Sequence, residues 1–169
     1  MAYATFDRYA LQRALDEKRR VDGLNWAAVG REINARFKDV QGHRSIAAST
    51  ISGLGVEADG ILQMLIWLRR TPESFIPGFL GADAQCYRLP ELDSTQILRV
   101  DTKSLFSALN SARITKGLSW KDLDGEFEIG STSPLTGLAK GGRTSIEMLT
   151  LVAGWVGTPC VAFTRASTW

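Results

Sequence analysis

The chain has 169 residues, which is enough for one ordinary domain or for two small helical ones. Hydrophobic residues make up 44% of it and charged residues 22%, values typical of globular proteins, so a disordered or fibrous chain is excluded. A net charge of +2 permits nucleic-acid binding but does not indicate it alone.

The few cysteines and histidines argue against a metal centre. Cys86 and Cys160 form no C-x-x-C pair, and the chain has one histidine, so we expect reduced thiols, no metal and no cofactor. Residues 1–5 lack the basic and apolar regions of a signal peptide, and no apolar run has the length of a membrane span. We therefore predict a cytoplasmic protein with no membrane partner.

The first elements are two helices separated by a glycine. Leu11 and Leu15 lie on one largely apolar side of an amphipathic helix, which Gly23 is suited to end. Asn25 follows as the N-cap of a second helix, and Trp26 is expected to anchor that helix to the core.

Three shorter elements follow. We predict a third helix from about Ala47 to Leu54, a fourth from Asp59 to Arg69, and a short fifth opened by Thr71-Pro72. Residues 77–101 contain several glycines and prolines and form a linker whose apolar content predicts packing. Tyr87–Leu89 and Ile97–Val100 are candidate extended pieces within it.

The chain also contains an internal repeat. Gly23-Leu24-Asn25-Trp26 recurs as Gly117-Leu118-Ser119-Trp120, 94 residues later, and Trp67 recurs as Trp155. Ser49–Leu54 aligns with Ser133–Leu138 at a shift of only 84, so the first copy carries ten extra residues around positions 34–42. We predict modules at residues 1–76 and 102–169.

The second copy repeats the element pattern. Ser119 and Asp122 predict a capping box at its second helix. Its third helix is expected from Thr132 to Leu138, with Pro134 in the first turn, and its fourth from about Ser145 to Val156.

Five short helices, with the second and third closely joined, are the arrangement of a helix-turn-helix domain. The repeated pattern is Gly-Leu-x-Trp, then Ser-x-Ile/Leu-Ser/Thr-Gly-Leu, then an apolar helix ending in Trp-Leu/Val and followed by Thr-Pro. It resembles the lambda-repressor-like, Xre-type helix-turn-helix family of bacterial and phage regulators, over about residues 9–75 and 104–163. The expected fold class is all-α, with two tandem five-helix modules joined by a partly packed linker.

The resemblance implies which side chains meet DNA. Base edges would be contacted from the exposed side of each third helix, while Ile51, Leu54, Leu135 and Leu138 point to the core. The base-facing candidates are Ala48, Ser49, Ser52, Thr132, Ser133 and Thr136. The cations beside these helices are the candidate phosphate contacts: Arg31, Arg36, Lys38, His43, Arg44, Lys140 and Arg143.

Two functions remain open from these residues. The first is a transcriptional regulator that binds double-stranded DNA through two unequal recognition helices of one chain. The second is a protein-interaction or assembly module, homodimeric or with another partner, in which the fold has lost its readout; the small residues Gly53 and Gly137 favour it. No enzyme is expected, because His43 has no paired nucleophile or further ligands nearby.

Overall fold

The computed structural model describes residues 3–42, 44–53, 55–79 and 87–168. These residues are mainly helical. The helices are α1 (Arg8–Val21), α2 (Trp26–Ala35), α3 (Ala48–Gly53), α4 (Ala58–Leu68), α5 (Thr102–Thr115), α6 (Trp120–Phe127), α7 (Ser133–Gly137) and α8 (Ile146–Val156). Short 3-10 helices span Pro72–Phe75, Leu138–Lys140 and Cys160–Phe163.

One antiparallel pair of strands adds to the predicted helical class. Strand β1 (Ile97–Val100) pairs with β2 (Thr164–Ser167), so that Ile97 lies opposite Ser167. The strand at Ile97–Val100 is therefore confirmed, whereas Tyr87–Leu89 forms no strand. The all-α prediction is corrected to mainly helical. The partner strand was not predicted, because it lies more than 60 residues further along the chain.

Side-chain caps set the starts of the first two helices in each half. The Asn25 side chain accepts the Ala28 N–H at 2.8 Å, and Ser119 and Asp122 form the predicted capping box. Asp7 and Asp101, which are 94 residues apart, cap α1 and α5 in the same way. These local signals place the helices of both halves in corresponding positions.

Three further hydrogen bonds also recur in both halves. Each comes from a pair of corresponding residues. Arg19 donates to the Leu24 carbonyl at 3.0 Å, as Arg113 does to the Leu118 carbonyl at 2.6 Å. Trp67 Nε1 donates to Glu32 and Trp155 Nε1 to Glu126, both at 2.8 Å. The Asp7 N–H donates to the Phe75 carbonyl at 2.8 Å, and the Asp101 N–H to the Phe163 carbonyl at 2.7 Å. The two halves thus share a scaffold as well as a sequence pattern.

The halves pack against each other through α4 and α8. In each half, the segment before the first helix lies on the fourth helix of the other half. The Phe6 N–H donates to Thr150 Oγ1 on α8 at 3.2 Å, and the Val100 N–H donates to Asp59 Oδ1 on α4 at 2.9 Å. Buried apolar residues from both halves form one cluster, so the end of the predicted linker belongs to the core.

An ion pair across this contact makes stability depend on pH. Burial raises the pKa of Glu147, but hydrogen bonds and charge from Arg8 outweigh burial and hold it below its usual value. A depressed folded-state pKa stabilises the fold above the unfolded value and loses that contribution as pH falls through the folded value. Glu147→Gln is therefore expected to destabilise the protein at neutral pH and to flatten its loss of stability in acid.

Urea unfolding at neutral pH and at about pH 3 checks this expectation. Glu17→Gln, at an exposed position of α1, is the matched control and should keep the wild-type acid limb. Parallel curves for Glu147→Gln and the wild type across this range would contradict the expectation.

Candidate nucleic-acid interface

Helices α2 and α3 are held together in spite of the long connection between them. The Asn34 side chain accepts the Ile46 N–H and donates to the Ile46 carbonyl, both at 2.8 Å. A Cβ atom added to Gly30 would lie 3.6 Å from Ala48 Cβ, so the two helices approach closely. Asn34 therefore fixes where α3 begins relative to α2.

The ten-residue insertion is folded onto the protein. Phe37 and Val40 are buried, and the Asp39 N–H donates to the Ser94 carbonyl at 3.1 Å. Since these side chains point inward, Arg36 and Lys38 between and beside them are exposed. The insertion thus presents cations from an anchored segment.

On α3, the predicted base-facing residues differ in exposure. Ser49 is exposed, Ala48 and Ser52 are half-buried, and Ile51 is buried; Leu54 lies outside the described residues. The Ser52 hydroxyl donates to the Ser49 carbonyl at 3.2 Å, which leaves its lone pairs as acceptors.

Gln12 is a neighbour of this helix that the sequence did not reveal. Its Nε2 donates to the Ser52 carbonyl at 2.8 Å and so ties α1 to the end of α3. The two residues are 40 positions apart, and no periodicity or cap signal links them.

In the second half, Ser133 and Thr136 are exposed and Thr132 is half-buried, while Leu135 and Leu138 are buried as predicted. The helix is shorter than predicted, because a 3-10 turn replaces its end from Leu138. The Thr136 hydroxyl donates to the Thr132 carbonyl at 3.2 Å.

Two of the predicted phosphate contacts line an open groove between α2 and the start of α3. The groove has a volume of about 550 Å³, and Arg31, Lys38, Ser45 and Ala48 are among its lining residues. Within the part of the chain that the structure describes, Arg31 and Lys38 form no ion pair. Their charges are therefore available to a ligand on this face, which we call the α2–α3 groove.

The other predicted cations are distributed differently. Arg44 is exposed before α3, whereas His43 lies outside the described residues. Arg36 is not on the α2–α3 groove; it lines a second groove beside Trp67. The sequence grouped these residues by proximity along the chain, but the helical end of α2 turns Arg36 to another face.

In the second half, Lys140 is exposed, but Arg143 lies 3.5 Å from Glu57 of the first half. Arg143 thus has a carboxylate partner, which the sequence did not predict because Glu57 is 86 positions away. Both groups are more than half exposed, so this pair adds little to stability.

The two halves differ in charge around the connection between their second and third helices. Residues 26–47 carry four Lys or Arg and two carboxylates, for a net charge of +2 with histidine neutral. Residues 120–132, the corresponding segment, carry Lys121 and four carboxylates, for a net charge of −3. The same scaffold therefore presents a cationic surface in one half and an anionic surface in the other.

The buried thiol of Cys160 is expected to be unreactive. Burial, together with the Glu73 carboxylate, raises the pKa of Cys160 well above its usual value, so the thiol stays protonated. Glu73 Oε1 also accepts the Cys160 N–H at 2.5 Å. Among the described residues, no cluster of three or more His, Cys, Asp or Glu is suited to a metal; Cys86 lies outside them.

No family model matches the chain, and neither a curated protein nor a solved structure matches it. In the described ranges, no helix is both long and apolar enough to cross a bilayer.

Proposed function

We propose that this chain is a DNA-binding regulator built from two tandem helix-turn-helix modules, residues 1–76 and 102–169, of the lambda-repressor-like type. The recurrence of the same caps and the same Trp–Glu hydrogen bond supports two copies of one module. The observation that carries the DNA assignment is the cationic α2–α3 groove, where Arg31 and Lys38 line a groove together with Ala48 at the start of α3.

The first module docks through this groove. In the proposed complex α3 enters the major groove, and Arg31, Lys38 and Arg44 contact phosphates on either side of it. Ala48 and Ser49 are short, so the backbone of α3 approaches the base edges closely. Short hydroxyls discriminate bases less strongly than Arg or Asn does, and most of the affinity then comes from phosphates.

The second module has a different role in this proposal. Its anionic segment, residues 120–132, would be repelled by phosphates, so we assign it no DNA contact. This charge favours a protein-interaction role for the second half, where α7 presents Ser133 and Thr136 to a partner. The bound protein would then be asymmetric, with the first half on DNA and the second half away from DNA and open to a protein partner.

The salt dependence of DNA binding tests the proposal. We expect the full chain to bind labelled random-sequence duplex, with a slope of log K against log[salt] near −3, because about three phosphates are neutralised at roughly 0.9 each. Fluorescence anisotropy at several salt concentrations measures this slope. Absence of binding at low salt, where phosphate contacts are strongest, would contradict the proposal.

A selection from a random DNA library then separates one reading module from two. Contact by the first module alone predicts a single half-site. Two half-sites about one helical turn, or 34 Å, apart would show that the second module also reads DNA and would overturn its assignment.

A further inference from the structure

A second groove lies where α1, α2 and α4 meet, away from the α2–α3 groove. Its volume is about 620 Å³, and its lining includes Lys18, Glu32, Arg36, Trp67 and Arg69. Trp67 is only 3% exposed and forms the floor. Three of the five named side chains are cationic, which makes the groove a candidate for an anionic ligand.

Part of this lining has a structural partner already. Glu32 accepts the Trp67 indole N–H at 2.8 Å. The Lys18 ammonium lies 4.6 Å from the Trp67 ring centroid and 2.5 Å from an oxygen of Asp22. Glu32, Trp67 and Lys18 therefore contact one another within the wall and floor. The cations of the lining without such a contact are Arg36 and Arg69.

The second half of the chain serves as an internal comparison. It keeps the floor, since Trp155 donates to Glu126 at 2.8 Å and the Lys116 ammonium lies 4.1 Å from the Trp155 ring centroid. It lacks both arginines. Gly157 corresponds to Arg69, and Gly130 corresponds to Arg36 at the shift of 94 residues. The floor therefore belongs to the scaffold, and the arginine pair is an addition to it.

The backbone conformation at Arg69 matches that of the glycine at the corresponding position of the second half. Arg69 caps α4 with φ 56° and ψ 41°, in the left-handed region that favours glycine, and the corresponding Gly157 has φ 78°. A side chain in that conformation carries strain that glycine avoids. Within the described ranges neither Arg36 nor Arg69 forms an ion pair that would account for keeping arginine there.

We propose that this groove binds a phosphate group between the guanidinium groups of Arg36 and Arg69, above Trp67. A guanidinium offers paired N–H donors that match two phosphate oxygens, and two such forks neutralise a dianion. The phosphate comes either from a small phosphorylated compound or from a DNA backbone. Arg31 and Lys38 do not line this groove, so variants of Arg36 and Arg69 test it separately from the α2–α3 groove.

Calorimetric titration of the full chain with inorganic phosphate, at low ionic strength, tests the site. Arg36→Gln, Arg69→Gly and the double variant are each expected to weaken binding about tenfold or more, since each removes a charge-assisted contact. Arg69→Gly copies the conformation of Gly157, so its fold is preserved, which circular dichroism verifies. Arg165→Gln, at an exposed arginine of β2, is the matched control and should bind phosphate as the wild type does.

DNA titration of the same variants identifies the source of the phosphate. If the double variant loses DNA affinity and its salt slope becomes shallower by about one, the groove holds a backbone phosphate. If it loses inorganic phosphate but keeps wild-type DNA binding, the groove holds a small phosphorylated compound. The site is refuted if the double variant binds both ligands as the wild type does, or if the wild type binds neither.

Discussion

Replacing Trp155 with alanine is expected to lower the free energy of unfolding by about 3–5 kcal/mol, the usual cost of removing a buried tryptophan. Trp155 is 6% exposed, and its indole N–H donates to Glu126 at 2.8 Å. Its ring packs edge-on against Phe127, with the centroids 5.8 Å apart. The substitution removes the packed area and leaves Glu126 without that donor.

Trp67→Ala is the matched variant in the first half and should cost a similar amount, because the same hydrogen bond holds Trp67 to Glu32. Urea unfolding followed by far-UV circular dichroism measures both. Ile114→Ala, at a residue that is 61% exposed, is the control and should stay within about 0.5 kcal/mol of the wild type.

Both tryptophan variants are expected to unfold in one transition. The halves share a core, and buried hydrogen bonds cross between them: Gln63 Nε2 donates to the Leu98 carbonyl at 2.7 Å, and Cys160 N donates to Glu73. Loss of one half therefore exposes the packed face of the other. If Trp155→Ala instead unfolded in two separated transitions, with the transition of the first half at its wild-type urea concentration, the modules would fold independently.

Local signals in the sequence were enough to predict most of the helical elements. The caps Asn25 and Ser119 act within three residues, so their pattern is visible without knowledge of the fold. The repeat also paired Trp67 with Trp155, and both are buried in the structure. Trp26 and Trp120, which were expected to anchor their helices, are partly buried against the core.

Features that depend on distant residues were missed or misassigned. The pairing of β1 with β2 and the contact of Arg143 with Glu57 join segments far apart in the chain, and no periodicity encodes them. Arg36 was grouped with Arg31 because the two are close in sequence, yet they line different grooves. An exposed charged side chain is not constrained by packing, so the face on which it lies depends on where its helix ends.

The halves have therefore diverged where packing allows it. Losing a cap leaves a helix N–H without its partner, and losing the Glu of a Trp–Glu bond leaves the indole N–H of a buried tryptophan without its acceptor. The charged side chains of residues 26–47 and 120–132 are mostly exposed, and there the net charge differs between the halves, +2 against −3. Divergence of charge on a retained scaffold is the pattern expected when one copy binds an anion and the other does not.

Reversing the charge of the α2–α3 groove tests this difference directly. The double variant Arg31→Glu/Lys38→Glu is expected to lower DNA affinity by about a hundredfold or more, because two phosphate contacts are lost and two repulsive charges are introduced. Anisotropy titrations at fixed salt measure the affinity. Stability should change little, since both side chains are exposed and form no ion pair within the described residues.

The matched control makes the same change of net charge in the second half. Lys121→Glu/Lys140→Glu alters two exposed lysines near α6 and α7, so any effect of overall charge is equal in the two variants. If DNA docks on the α2–α3 groove, the control loses far less affinity than Arg31→Glu/Lys38→Glu. Equal losses of DNA affinity in the two variants would mean that DNA responds to the net charge of the whole protein. The α2–α3 groove would then not be the docking face.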